Sequence, residues 1–202
     1  MQSCYALRVG RKPLIDRAAV LAASLAVADR DGLAALTMQA VADRLGVTPM
    51  ALYRHVANKA DLLDGVVESL LTEFPLPEAG SPWPARLREL GRYVRQTAQR
   101  HPAVFPLLLS RPAATPVALR VRDAVCEALV DAGVQSDAVD RTERLLSTIV
   151  LGFAASEAGG RFAGHSAEQI DADFAYLEDA VEHVLEACAR ASPPSLRTRR
   201  RQ

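Results

Sequence analysis

Cysteine is scarce in this chain. There are three, Cys4, Cys126 and Cys188, an odd number with no Cys-x-x-Cys pair. That pattern excludes a disulfide framework and reads as ordinary reduced thiols in the cytoplasm. Histidine is scarce too. His55, His101, His165 and His183 form no His-Glu-x-x-His motif; His183 and Glu186 share a helical face but have no second pair of ligands. No metal site is therefore expected. The chain also lacks a Gly-x-Ser-x-Gly elbow, a P-loop and a Gly-x-Gly-x-x-Gly turn. No catalytic residue, no enzyme activity and no cofactor are expected. No apolar run reaches the roughly 18–20 residues needed to span a bilayer. No stretch alternates with the period of a β-strand, so the fold class expected is all-α.

What is present is concentrated between Leu36 and Leu63, LTMQAVADRLGVTPMALYRHVANKADLL. Val41, Ala42 and Leu45 fall at helical spacing, behind Thr37 as a cap and ahead of Gly46 as a left-handed terminator. Thr48-Pro49 restarts a helix, with proline at its first position. Leu52 and Val56, and less clearly Tyr53, turn inward. Helix, glycine-bearing turn and helix make a helix-turn-helix unit. The outward residues of the second helix are Thr48, Pro49, Met50, Ala51, Arg54 and His55, with no acid among them. Such a face suits the negative potential and base-edge acceptors of a DNA major groove. Asn58-Lys59 breaks the pattern. A third helix then starts near Ala60-Asp61, with Leu62, Leu63, Val66, Val67 and Leu70 as its stripe.

Zero net charge conceals an asymmetry. Residues 1–60 carry eight Lys and Arg against four Asp, and the excess of four positive charges is cancelled by the remainder. A basic head on an acidic body fits a protein that touches DNA at one end only. Ala18 to Ala28, AAVLAASLAVA, follows Arg8, Arg11 and Lys12 in the manner of a signal peptide. Asp16 and Arg17 immediately before it argue against secretion, as does the loss of a helix that the next motif needs.

In chain order, residues 1–12 form a short basic arm and Pro13 opens a helix. Its packed stripe reads Ile15, Ala18, Ala19, Ala22, Leu25 and Ala26, and Asp31-Gly32 ends it. Thr72 to Pro84 holds four prolines and a glycine, so it forbids a continuous helix and marks a boundary. Helix is expected to resume over Ala85–Arg100 and again over Ala103–Leu109, with Pro106 inside. A helix from Thr115-Pro116 to Ala132-Gly133 follows. Another is capped by Ser136 or Asp137 and carries Leu145, Leu146, Ile149, Val150, Phe153 and Ala154. After a loop at Gly159–His165, Ser166 and Gln169 open the last helix as a capping box. Pro193-Pro194 and Arg197–Arg201 make a basic tail. The organisation expected is a DNA-binding unit over 1–72, a helical body over 73–192 and the tail over 193–202.

The run L-T-x-x-x-V-A-x-x-L-G-V, then four residues, then L-Y-x-H-V-x-N-K-x-x-L-L closely resembles the DNA-binding domain of the tetracycline-repressor (TetR) family of bacterial regulators. The similarity covers about residues 13–72 and is nearest to the tetracycline-repressor branch. It implies a homodimeric regulator of double-stranded DNA, most simply a repressor released from a palindrome by a small-molecule effector; an activator or an effector-independent regulator is the alternative. It implies a phosphate contact by Thr37 and backbone contacts by Tyr53, His55 and Lys59. Gln39, Thr48, Pro49, Met50, Ala51 and Arg54 would lie at the groove, Arg54 being the residue suited to a guanine edge. It implies an effector pocket in the middle helices, here lined by Trp83, Phe105, Leu108, Leu109, Val121, Val125 and Phe153. Finally, it implies pairing of the last two long helices through Leu146, Ile149, Val150, Phe174, Leu177, Val181, Val184 and Leu185. Departures limit the likeness. Alignment on Arg111-Pro112 puts Leu107 where the tetracycline repressor has a metal-ligating histidine, and Pro75 falls where it has another. Tetracycline and magnesium are therefore not carried over.

Overall fold

The protein is described by a computed structural model, which defines residues 15–78, 80–111 and 115–191. The basic arm with Arg8, Arg11 and Lys12, Pro13, Pro112 and the tail from Pro193 lie outside them. All regular structure among the described residues is helical.

Helix α1 spans Arg17–Asp31, and the Asp16 carboxylate accepts the Ala19 amide at 2.7 Å to cap it. It starts four residues after Pro13, the expected opening residue, and buries Val20, Leu21, Ala23, Ser24, Val27 and Ala28. The expected stripe was rotated: Ala18 and Ala22 are exposed. In an alanine-rich segment almost every position is apolar, so the larger Val20 and Val27 decide which face is buried. Ser24 sits in that face without penalty because its hydroxyl donates to the Val20 carbonyl at 2.7 Å.

A short 3₁₀ turn, Leu33–Ala35, leads to α2, Met38–Leu45. Thr37 caps α2, its Oγ1 accepting the Ala40 amide at 3.1 Å. Gly46 ends it at φ 66°, ψ 35°, in the left-handed region. Helix α3 is only Pro49–Leu52, with Pro49 in the first turn; Thr48 holds the N-cap position, though its hydroxyl makes no cap bond. Helix α4, Lys59–Thr72, begins one residue before the expected start because the Asn58 side chain accepts the Asp61 amide at 3.0 Å. Val20, Val27, Leu36, Val41, Leu52, Val56, Leu62, Val66 and Leu70 form one core. Val104 and Leu107, from beyond residue 72, complete it.

The body starts at α5, Trp83–Arg100, two residues earlier than expected because Pro84 is tolerated in a first turn. The helix expected over Ala103–Leu109 is instead a set of turns followed by α6, Leu107–Ser110, with Pro106 at its N-cap. Proline has no N–H to offer a preceding helical turn, so it begins the helix and does not sit within it. Helix α7 is Pro116–Asp131, capped by Thr115. Helix α8 is Val139–Ala158; Ala138 is its N-cap and neither Ser136 nor Asp137 caps it. Helix α9 is Ala167–Ala191, and its capping box is complete: Ser166 N donates to Gln169 Oε1 at 2.8 Å and Gln169 N to Ser166 Oγ at 3.2 Å.

Helix α5 packs against α7, α8 and α9. Arg95 of α5 donates to Glu157 of α8 at 2.6 and 2.7 Å and to Asp171 of α9 at 2.7 Å, and lies over the Phe174 ring at 5.1 Å. One guanidinium thus ties three helices with a bidentate pair and a cation–π contact.

Nothing lies within 4 Å of where a Cβ would stand at Gly46, so a substitution there tests backbone conformation alone. Gly46→Ala is expected to cost about 1 kcal/mol, seen as a lower urea midpoint at unchanged slope. An unmoved midpoint would show that the left-handed turn is not required.

Candidate nucleic-acid interface and cavity

The residues expected at DNA fall on the start of α2, on α3 and the turn after it, and on the first residue of α4. Thr37, Gln39, Thr48, Met50, Tyr53, Arg54 and Lys59 are exposed; Pro49, Ala51 and His55 are half-buried. Met50, in the middle of α3, is 73% exposed. Leu52 and Val56 are buried, as the spacing requires. Two details were not readable from sequence. Gln39 donates to Asp43 at 2.7 Å, so part of its hydrogen-bonding capacity is already used. Asp43 itself is an exposed carboxylate on α2.

The position of α3 depends on a side chain from α1. Arg17 donates to the His55 carbonyl at 2.8 Å and to Asp61 Oδ1 at 2.7 Å. Asp61 Oδ2 in turn accepts the Ala57 amide at 2.7 Å. The Arg17 bond, and then the Ala57 amide, hold the Asp61 carboxyl below its ordinary value. The guanidinium of Arg17 is raised mainly by the same bond. Sequence reading missed this pair because its members are 44 residues apart; the only local signal was Asp61 in the capping register of Asn58.

The body holds a cavity of about 420 Å³, walled by residues of α4 to α9. Of the residues expected at an effector pocket, Trp83, Leu108, Val121 and Val125 line this cavity. Three expected residues do not. Phe105 is fully buried in a separate cluster with Ala98 and Ala154, Leu109 is exposed, and Phe153 packs in tilted pairs with Phe162 and Phe174, centroids 5.3 Å apart. The residues of the paired-helix expectation fall on two faces. Leu146, Val150, Phe174, Leu177 and Val181 line the cavity, and Leu185 is buried. Only Ile149 and Val184 of that set face outward. They are joined by Leu145 and Tyr176, and these four are 50–76% exposed. Helices with apolar residues on two faces cannot be oriented by period alone.

Helix α4 belongs to both sites. Leu62, Val66 and Leu70 enter the head core, while Asp64, Val67 and Leu71 form cavity wall. Arg111, at the end of α6, pairs with Asp64 and donates to the Ala60 carbonyl at 3.3 Å. His101 Nδ1 lies 2.8 Å from Asp29 of α1. Leu107, at the position of the absent histidine ligand, is buried in the head core, and Pro75 is exposed.

A helix-turn-helix head of this form on an all-helical body is an architecture shared by DNA-binding transcriptional regulators. The profile of bacterial regulatory proteins of the tetR family matches residues 20–66, and that of the tetracyclin repressor-like C-terminal domain matches residues 74–195. The chain belongs to the TetR family. An HTH-type transcriptional regulator of Saccharopolyspora erythraea is 33% identical over 147 residues, 72% of this chain. The HTH-type transcriptional repressor DrrR1 of Streptomyces coeruleorubidus is 29% identical over 167 residues, 82% of this chain. In both cases the match spans 62% of the relative's own length. Among solved structures, BioQ of Mycobacterium smegmatis superposes with a TM-score of 0.74 at 28% identity, covering 86% of this chain and 99% of that one. BioQ with its double-stranded DNA operator superposes at 0.69, covering 84% and 99%. A TetR variant from Acinetobacter baumannii AYE in complex with minocycline superposes at 0.75 with 25% identity, covering 86% and 98%.

Asp61→Asn keeps the shape of the anchor and removes its charge. A carboxyl whose folded pKa is depressed contributes stability above its unfolded value, near 3.8, and loses it as pH falls through the folded value. The variant is expected to melt below the wild type at neutral pH, with the two curves converging in strong acid. A difference that stays constant across the acid range would exclude the carboxylate as the source.

Proposed function

We propose that the chain acts in the cytoplasm as a homodimeric repressor, released from a palindromic operator by a small, largely apolar effector, with no catalytic step. In this reading the DNA-binding unit extends to residue 72 and the effector-binding and dimerisation unit covers 73–192. The observation that carries it is the double membership of α4, whose one face is head core and whose other is cavity wall. An effector that fits the cavity better in one position of α4 than in another shifts the head by that difference in affinity. The operator-bound BioQ structure and the minocycline-bound TetR variant support DNA and small-molecule binding in proteins of this fold.

Dimerisation follows from the small size of α3. Four helical residues offer few base contacts, and two copies about 34–36 Å apart read a palindrome with twice as many. The pairing surface is the exposed apolar strip of Leu145 and Ile149 on α8 with Tyr176 and Val184 on α9. At the DNA, Thr37, Tyr53, His55 and Lys59 take the phosphate backbone. Gln39, Thr48, Pro49, Met50, Ala51 and Arg54 face the groove.

Selection of bound sequences from random duplex DNA, with the bound species sized, tests the reading: a palindrome held by a dimer is expected, and no enrichment from effector-free protein would overturn it. On the selected duplex, Tyr53→Ala and Lys59→Ala should weaken specific and random DNA alike and flatten the salt dependence. Arg54→Ala should cost about 1–3 kcal/mol at particular base pairs only; equal loss on random DNA would remove it from base reading. Ile149→Arg or Val184→Arg should give folded monomers by light scattering. Persisting dimers would place the interface elsewhere.

A further inference from the structure

The charged groups in the cavity wall do not balance. Four carboxylates, Asp64, Glu143, Glu178 and Glu182, face three guanidiniums, Arg88, Arg111 and Arg122. The guanidiniums are all engaged. Arg111 pairs with Asp64. Arg88 holds Glu182 at 2.5 Å and Asp179 at 2.7 Å. Arg122 holds Asp140 at 2.7 Å and approaches Glu143 at 3.5 Å, while Glu143 also accepts the Ser147 hydroxyl at 2.8 Å.

Glu178 is what remains. Its side chain is 12% exposed, and Oε1 is buried with no hydrogen-bond partner. The nearest cationic atoms, Arg88 NH1 and Arg92 Nε, stand at 3.8 Å, beyond hydrogen-bonding range. The carboxyl lies across from Gly91 of α5, where a Cβ would stand in ordinary contact, 3.9 Å from Oε1 and 3.6 Å from Phe174 Cζ. Burial pushes this carboxyl above its ordinary value. A buried carboxylate oxygen without a hydrogen bond is costly to keep, unless a ligand supplies the donor. The rest of the wall is mainly aliphatic and aromatic, and 420 Å³ suits a small organic molecule.

We infer that the cavity takes a lipophilic amine, an apolar body bearing one protonated nitrogen that pairs with Glu178. This rests on the cavity being the effector site. A ligand ammonium then gives Glu178 Oε1 the hydrogen-bond donor that Arg88 and Arg92, at 3.8 Å, do not supply.

Three probes of equal chain length separate the possibilities: decylamine, decanol and decanoate. Trp83 is the only tryptophan and lines the cavity, so its emission reports occupancy. Decylamine is expected to bind about tenfold tighter than decanol, and decanoate weakest. Glu178→Gln and Glu178→Leu should abolish the preference for the amine while leaving decanol within about threefold. Removing a desolvated charge should leave the melting temperature unchanged or higher, which checks the fold of both variants. Equal binding of amine and alcohol, tightest binding of decanoate, an amine preference surviving in both variants, or no binding by any probe would overturn the assignment. A Glu178-dependent amine preference without any effect on operator affinity would uphold the ligand class and refute the repressor mechanism.

Discussion

The bond between Arg17 and Asp61 fixes the working geometry of the head. Helix α3 has four residues, far below the length at which a helix holds itself in water. Its place must come from its surroundings. Leu52 and Val56 seat it in the core, but burial sets depth more than direction. Direction comes from Arg17, which grips the His55 carbonyl just after α3 and the Asp61 carboxylate in the first turn of α4. Asp61 closes the loop by accepting the Ala57 amide. Both side chains are partly exposed, so the pair adds only modestly to stability, and it joins the turn after α3 to the first turn of α4.

Because Asp61 belongs to α4, that anchor also ties the recognition element to the cavity. Three residues later on the same helix, Asp64 is paired with Arg111 in the cavity wall. Asp61, Ala57 and Arg17 thus form a continuous hydrogen-bonded path from α4 to the turn after α3. Head and body also pack directly: Val104 and Leu107 of the body complete the head core, and His101 meets Asp29.

The helix-turn-helix was legible in the sequence because its determinants are local. Thr37 caps α2, Gly46 takes the left-handed turn, Pro49 opens α3, and Ser166 with Gln169 starts α9, each within a few residues of the element it controls. The orientation of helices was less legible. In α1 nearly every side chain is apolar, so period could not choose the face. In α8 and α9 both sides are apolar, one toward the cavity and one outward, and only packing separates Leu146, Val150 and Val181 from Ile149 and Val184. Residue type points Phe105 and Phe153 to the pocket, but aromatic rings fill a core as readily as they line a cavity. Arg17–Asp61 and the stranded Glu178 are relations between distant segments, to which no local pattern points.

The central claim is that Arg17 and Asp61 act as one unit in placing the recognition helix. A double-mutant cycle on operator affinity tests it most directly, using Arg17→Met, Asp61→Asn and both together at fixed salt on a selected duplex. The account predicts that each single change costs about tenfold in affinity and that the double change costs no more than either alone. Losses that add, or folded single variants that bind the duplex as the wild type does, would contradict it.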